Sequence, residues 1–244
     1  MAGAEGGGAD AGAGGARSIV TGRGARETMT FGPVFFVLGL LISVLAFAML
    51  IPAAVDLLWG HADWPVFVAA SALTLFVGVT LMLSFRGSTA KTLGLRQAFL
   101  LTTLSWLVIA IFAAFPFMFS ELDMSVTDAF FESMSGITTT GSTVIVGLDG
   151  AAPGILLWRA LLQWLGGVGI IVMALAVLPI LSVGGMQLFQ TEAFDAPDKV
   201  VPRATQLAGG IGLVYVALTV VWAIALWGAG MPGFDAMAHA MTTL

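Results

Sequence analysis

Cysteine is absent from this chain, which excludes disulfides, thiolate metal sites and cysteine nucleophiles together. Charge is nearly as scarce. Only 9% of the residues are charged against 59% apolar, and so little charge does not suit a soluble globule. Two histidines and one tyrosine leave little from which to build a buried catalytic centre. The Gly-rich stretch near the N-terminus is not followed by GK[ST], and no strand precedes it, so it is no phosphate loop. The first apolar run begins too far into the chain, and is too long, for a signal peptide. A net charge of −5 argues against nucleic-acid partners, although in such a chain the placement of charge says more than its sum. At a mean hydropathy of +1.02 over 244 residues, what remains is an all-α polytopic membrane protein.

Residues 1–29, rich in Gly and Ala with Arg17, Arg23 and Arg26, cannot bury enough apolar surface to order themselves. They read as a disordered cytosolic tail. Phe31 to Ile51, Pro65 to Ser84, Phe99 to Phe119, Gly154 to Leu181 and Leu207 to Trp227 are each long and apolar enough to span. Arg86, Lys91 and Arg96 lie between the second and third spans, and Lys199 and Arg203 between the fourth and fifth. By the positive-inside rule those segments and the N-terminus are cytoplasmic. Asp56, Asp63, Glu121, Asp123, Asp128, Glu132, Asp149 and Asp235 then face outward, with Arg159 as their one basic neighbour.

The outward stretch Asp128 to Val146, DAFFESMSGITTTGSTVIV, reads differently from every span. Ala129 to Ile137 is helix-compatible, but about ten helical residues rise roughly 15 Å, half a bilayer core. A half-helix that enters and returns as an extended strand satisfies that length, and non-helical backbone at membrane depth is tolerated where it lines a watery path. Carbonyls of Thr138, Thr139 and Thr140, with hydroxyls beside them, could replace the water shell of a monovalent cation. Gly141 permits the backbone geometry that aims them, and the negative dipole end of the half-helix would face the same ion. A Thr-rich turn between helices is the alternative reading of the residues alone.

AFFESMSGITTTGSTV, preceded by LRQAFLLTTLSWLVIAIFAAFPF and followed by ILLWRALLQWLGGVGIIVMALAVLPILSVGGMQLFQTE, resembles the membrane subunit of bacterial Trk-type potassium uptake systems (TrkH/TrkG) of the Trk/Ktr/HKT superfamily. The resemblance runs from about Phe31 to Leu244. It implies helix–pore-loop–helix units, four in the family, around one ion path, with Gly141 as the filter glycine and Thr139 and Thr140 as the adjacent carbonyl ligands of potassium. It also implies a homodimer and a cytosolic TrkA-like nucleotide-binding regulatory subunit. Potassium is cargo, and no cofactor is expected.

A second copy of the motif follows. DAMAHAMTTL, Asp235 to Leu244, lines up with DAFFESMSGI, Asp128 to Ile137, which divides the chain into a tail (1–29), two leading helices (30–97), one unit with a cytosolic elbow (98–206) and the start of another (207–244). The second copy stops where its own filter would begin. The sequence is therefore expected to be a piece of a longer chain, without selective uptake by itself.

Asp128, Glu132 and Asp235 are candidates for an outer vestibule that concentrates cations, whereas Asp128 and Asp235 also suit half-helix N-termini. Trp158 and Arg159 read as an interfacial anchor and a snorkelling cation, with steadying of the filter as the alternative role for the two. Gly166, Gly167 and Gly169 thin one helix face for close packing. Pro179, Gly184 and Gly185 fit a helix end and elbow. The spans carry no charge of the kind a proton relay needs. Two further readings are a non-conducting membrane subunit and an intramembrane serine hydrolase with Ser142 as nucleophile and His61 or His239 as base.

Overall fold

A computed structural model of the chain describes residues 31–88, 95–181 and 200–244. The expected cytosolic tail and most of the elbow, with Gly184 and Gly185, lie outside the described residues. The described residues form helices and irregular connections, with no strand among them. In chain order these are α1 (Gly32–Trp59), α2 (Trp64–Phe85), α3 (Leu95–Ala113), α4 (Phe115–Phe119), α5 (Val126–Ile137), α6 (Pro153–Leu181), α7 (Val200–Gly228) and α8 (Gly233–Thr243). Five segments among them are long and apolar enough to cross a membrane: α1, α2, α3 continued by α4, α6 and α7. Apolar side chains such as Phe76, Leu83, Val221 and Trp227 stay exposed, as suits a chain whose solvent is lipid.

The first helix runs eight residues beyond the span that charge alone marked out, so Asp56 is not in a loop. It is a fully buried residue near the end of α1. Its carboxylate accepts a 2.6 Å hydrogen bond from the Gly154 amide, one of the orphan N–H groups in the first turn of α6. A remote side chain thus does what a local cap does elsewhere, and its negative charge suits the positive end of the α6 dipole. A Cβ on residue 154 would strike that carboxylate, which explains the glycine. Asp63, at the start of α2, accepts similarly from the Glu121 amide at 3.0 Å.

α1 and α2 pack face to face through glycine. A Cβ on Gly39 would sit 2.7 Å from the Gly78 carbonyl oxygen, and the Ser71 hydroxyl donates to the Ala46 carbonyl at 2.7 Å. Small residues and interhelical hydroxyl bonds are how helices associate where water supplies no driving force. The apolar core joins α1, α2, α4 and α6, including Met49, Phe67, Phe117, Ile155, Trp158 and Leu162. Trp158 is fully buried, its indole N–H donating to the Ala113 carbonyl at the end of α3. This overturns its reading as an interfacial anchor: a carbonyl freed at a helix end offered the indole a partner inside the protein.

The contact that places α5 is with α6. A Cβ on Gly166 would collide with the Ile137 carbonyl, so the last peptide of α5 rests directly on the α6 backbone. Gly167 makes room for the Tyr215 hydroxyl of α7 instead, which donates to the Trp164 carbonyl at 3.2 Å. The second half-helix, α8, repeats the first in register. Pro232 stands where Ser125 stands, both extended at ψ 141° and 155° before the first turn, and Ala129 and Ala236 are both buried.

Three stability outcomes follow, each read as the thermal midpoint of the detergent-solubilised protein. Gly166→Ala should cost about 1–3 kcal/mol by overpacking, while Gly209→Ala, with nothing within 4 Å of its Cβ, should be neutral or stabilising. Asp56→Ala should cost about 1–3 kcal/mol because it orphans the Gly154 amide. Asp56→Asn should cost less, since it keeps the acceptor and replaces a buried Oδ2 that has no partner among the described residues. Burial raises the pKa of Asp63, partly offset by the hydrogen bond from Glu121. The contribution of Asp63 is thus present below the ordinary carboxylate pKa and lost as pH rises through the raised value, and Asp63→Asn should flatten that loss in a pH series of midpoints.

Candidate ion-coordinating segment

Ser125 starts α5 as its N-cap, its hydroxyl oxygen accepting from the Asp128 amide at 3.1 Å. The same hydroxyl donates to the Asp128 carboxylate at 2.7 Å. Ser-x-x-Asp is a capping box, a signal readable in the sequence that moves the helix start three residues ahead of Ala129. Asp128 is exposed and sits in the first turn of the half-helix, where its charge suits the positive dipole end.

α5 ends at Ile137, where the sequence places its end, and the chain turns back without forming a strand. Thr139 adopts φ 58° and Gly141 φ 74°. The left-handed region is unremarkable for glycine but strained for a β-branched threonine, and such outliers concentrate at functional sites. Hydrogen bonds hold the strained turn. The amides of Thr140 and Gly141 both donate to the Ser135 carbonyl, at 2.9 and 3.2 Å, and that of Thr139 donates to the Gly136 carbonyl at 2.9 Å.

Those bonds decide where the carbonyls go. In a trans peptide the C=O of one residue points opposite to the N–H of the next. With the amides of Thr139, Thr140 and Gly141 turned toward the end of α5, the carbonyls of Thr138, Thr139 and Thr140 turn away from it. Among the described residues none of them accepts a hydrogen bond. The hydroxyls behave otherwise than the sequence reading expects. That of Thr138 donates to the Met134 carbonyl at 2.7 Å and lies 2.9 Å from the hydroxyl of Thr140, so the Thr138 side chain serves the half-helix.

Beyond Gly141 the chain is held by two side chains of α5. The Ser135 hydroxyl donates to the Ser142 carbonyl at 2.6 Å. Glu132 accepts from the Thr143 hydroxyl and the Val144 amide, each at 3.0 Å, through Oε2, and its Oε1 pairs with Arg159 Nε of α6. Glu132 is 2% exposed. It therefore does not stand in an open vestibule, and the expectation that it does is corrected: a carboxylate with a cation and two donors behind the returning chain is stable when buried. Arg159 likewise turns into the protein to pair with Glu132 instead of snorkelling to an interface.

A cleft of about 640 Å³ opens beside Gly141 and is walled by Leu156, Arg159 and Gln163 of α6 and Asp235 and His239 of α8. His239 occupies the slot of Glu132 but is exposed. Among the described residues, no hydrogen bond joins Ser142 to His61 or His239, and the hydrolase reading has no nucleophile–base pair to rest on. No cluster of metal-ligating His, Asp or Glu occurs among the described residues either.

Comparison with known proteins agrees with this architecture. A family model described as TrkH, cation transport protein, matches residues 64–244. The Trk system potassium uptake protein TrkH of Salmonella typhimurium is 43% identical over 220 residues, covering 88% of this chain and 45% of the relative. TrkG of Escherichia coli is 33% identical over 210 residues, covering 84% of this chain and 43% of its own length. The crystal structure of the potassium transporter TrkH from Vibrio parahaemolyticus superposes with a TM-score of 0.77 at 39% identity, over 87% of this chain and 42% of that one. The chain thus spans less than half the length of the relatives it matches. With its family model matched from the second helix to the last residue, the chain belongs to the TrkH family of cation transport proteins.

Proposed function

We propose that this chain forms part of the potassium-translocating pore of a Trk-type uptake system in the bacterial plasma membrane, multi-pass and with its N-terminus cytoplasmic. In this reading Thr138, Thr139, Thr140 and Gly141 form one selectivity-filter strand, with the carbonyls of Thr139 and Thr140 as potassium ligands. The observation that carries it is the pinned turn: three amides bonded back to α5, and three carbonyls left facing the other way. Carbonyls in such an array replace the hydration shell of a monovalent cation. The end of α5 lies behind them, so its negative dipole end favours the same charge.

Two features support the reading further. Relatives along 88% of the chain carry the name potassium uptake protein, and the cleft beside Gly141 offers the segment a polar space. The division into two leading helices, one helix–pore-loop–helix unit and the start of a second matches the repeated half-helices α5 and α8. Asp128, exposed beside its cap, remains a candidate for an outer carboxylate that attracts cations. A homodimer and a cytosolic TrkA-like regulatory subunit follow from the family resemblance. Lipid contacts the exposed apolar faces of the spans.

Gly141→Ser tests the assignment in the transporter expressed from its native gene. A side chain there is strained at φ 74°, and its Cβ would lie 3.3 Å from the Gln163 amide nitrogen. In a host lacking other potassium uptake, the variant should require about tenfold more external potassium for growth or should admit sodium, because displaced carbonyls no longer match the dehydrated ion. Unchanged growth and unchanged potassium-over-sodium uptake at normal membrane levels would remove the filter assignment.

A further inference from the structure

Glu132 and Ser135 stand three residues apart on one face of α5, and together they grip three groups of the returning chain beyond Gly141: the Ser142 carbonyl, the Thr143 hydroxyl and the Val144 amide. We propose that Glu132, held by Arg159, is a positioning residue for ion selectivity, fixing the outer limb of the Thr138–Gly141 segment without touching the ion. The proposal rests on the filter assignment above.

The geometry favours positioning over simple stabilisation. Glu132 uses both oxygens, Oε1 on Arg159 and Oε2 on the returning chain. Its hold extends one peptide further, because the Thr143 hydroxyl that donates to it also accepts from the Ile145 amide at 3.1 Å. A buried ion pair adds little net stability compared with apolar residues of similar volume, since both charges must be desolvated. An apolar pair, however, could not bind a backbone amide and a hydroxyl in a set register. Arg159 sits on α6 less than two turns from Gly154, the residue pinned by Asp56. The cation is therefore itself carried on a fixed helix, and the returning chain is braced against α6 as well as α5.

Selectivity depends on the set of carbonyls that replaces the hydration shell of the ion, whereas passage of ions tolerates looser geometry. Loosening the brace should therefore lower discrimination before it lowers maximal uptake. The test uses the transporter expressed from its native gene in a potassium-uptake-deficient host, with potassium and sodium uptake normalised to transporter in the membrane. Glu132→Gln and Arg159→Gln should each reduce potassium-over-sodium discrimination about tenfold while maximal uptake falls less than about threefold, since each leaves a buried partner unmatched. Arg159→Lys, which keeps the charge, should recover part of the loss. The Glu132→Gln/Arg159→Gln double variant should be no worse than either single, as expected for one coupled unit.

Should the charge-removing variants fail to reach the membrane, Thr143→Val decides, because it removes one donor to Glu132 and leaves no unpaired charge; a loss of about threefold is expected. Discrimination unchanged in the Thr143 variant and in those charge variants that do reach the membrane overturns the proposal. Gly141→Ser, run in parallel, separates the two ideas. If it relaxes selectivity and the brace variants do not, the positioning role alone is wrong. If it too changes nothing, the filter assignment falls first.

Discussion

A chain that turns back among membrane-spanning helices has to find partners for amides that a continuous helix would have bonded automatically. Here the Ser135 carbonyl, at the open end of α5, accepts from both Thr140 and Gly141. The rest of the site follows from that arrangement. Amides turned inward force carbonyls outward, the left-handed turn at Thr139 becomes affordable, and oxygen atoms are presented as a set rather than singly. The residues that do this are ordinary. What is unusual is the end of a short helix used as a template.

The surroundings can be understood as devices that keep that helix end still. Gly166 lets the last peptide of α5 lie on the α6 backbone, and the Glu132–Arg159 pair ties the same two helices together. α6 is held in turn by Asp56 from the leading helix pair, which gives α1 and α2 a structural task although neither lines the cleft. The Asp56–Gly154 bond joins elements distant in sequence. A change in α1 should therefore be felt at the turn through packed, hydrogen-bonded contacts and not through the cleft itself.

α8 shows how far the repeat is carried by backbone and how far by side chains. It starts in the same register as α5 and buries the corresponding alanine. Yet His239, in the slot of Glu132, is exposed and faces the cleft. Repetition preserves the half-helix, while the chemistry behind it differs between copies.

The membrane class, the five spans and the half-helix ending at Ile137 were all legible in the sequence, because they depend on runs of apolar residues and on a local change to Thr and Gly. The Ser125–Asp128 capping box was equally local and could have been read there too. Asp56, Trp158, Glu132 and Arg159 could not be placed that way. A charge or an indole in an outward segment is assigned to water or to the interface by default, and only folding reveals a partner in a distant segment: the Gly154 amide, the Ala113 carbonyl, or one side chain of the pair itself. Composition and periodicity determine which segments enter the membrane, because transfer from water is additive along the chain. Which polar groups can be buried depends on pairings across it, and these exist only once the helices are packed.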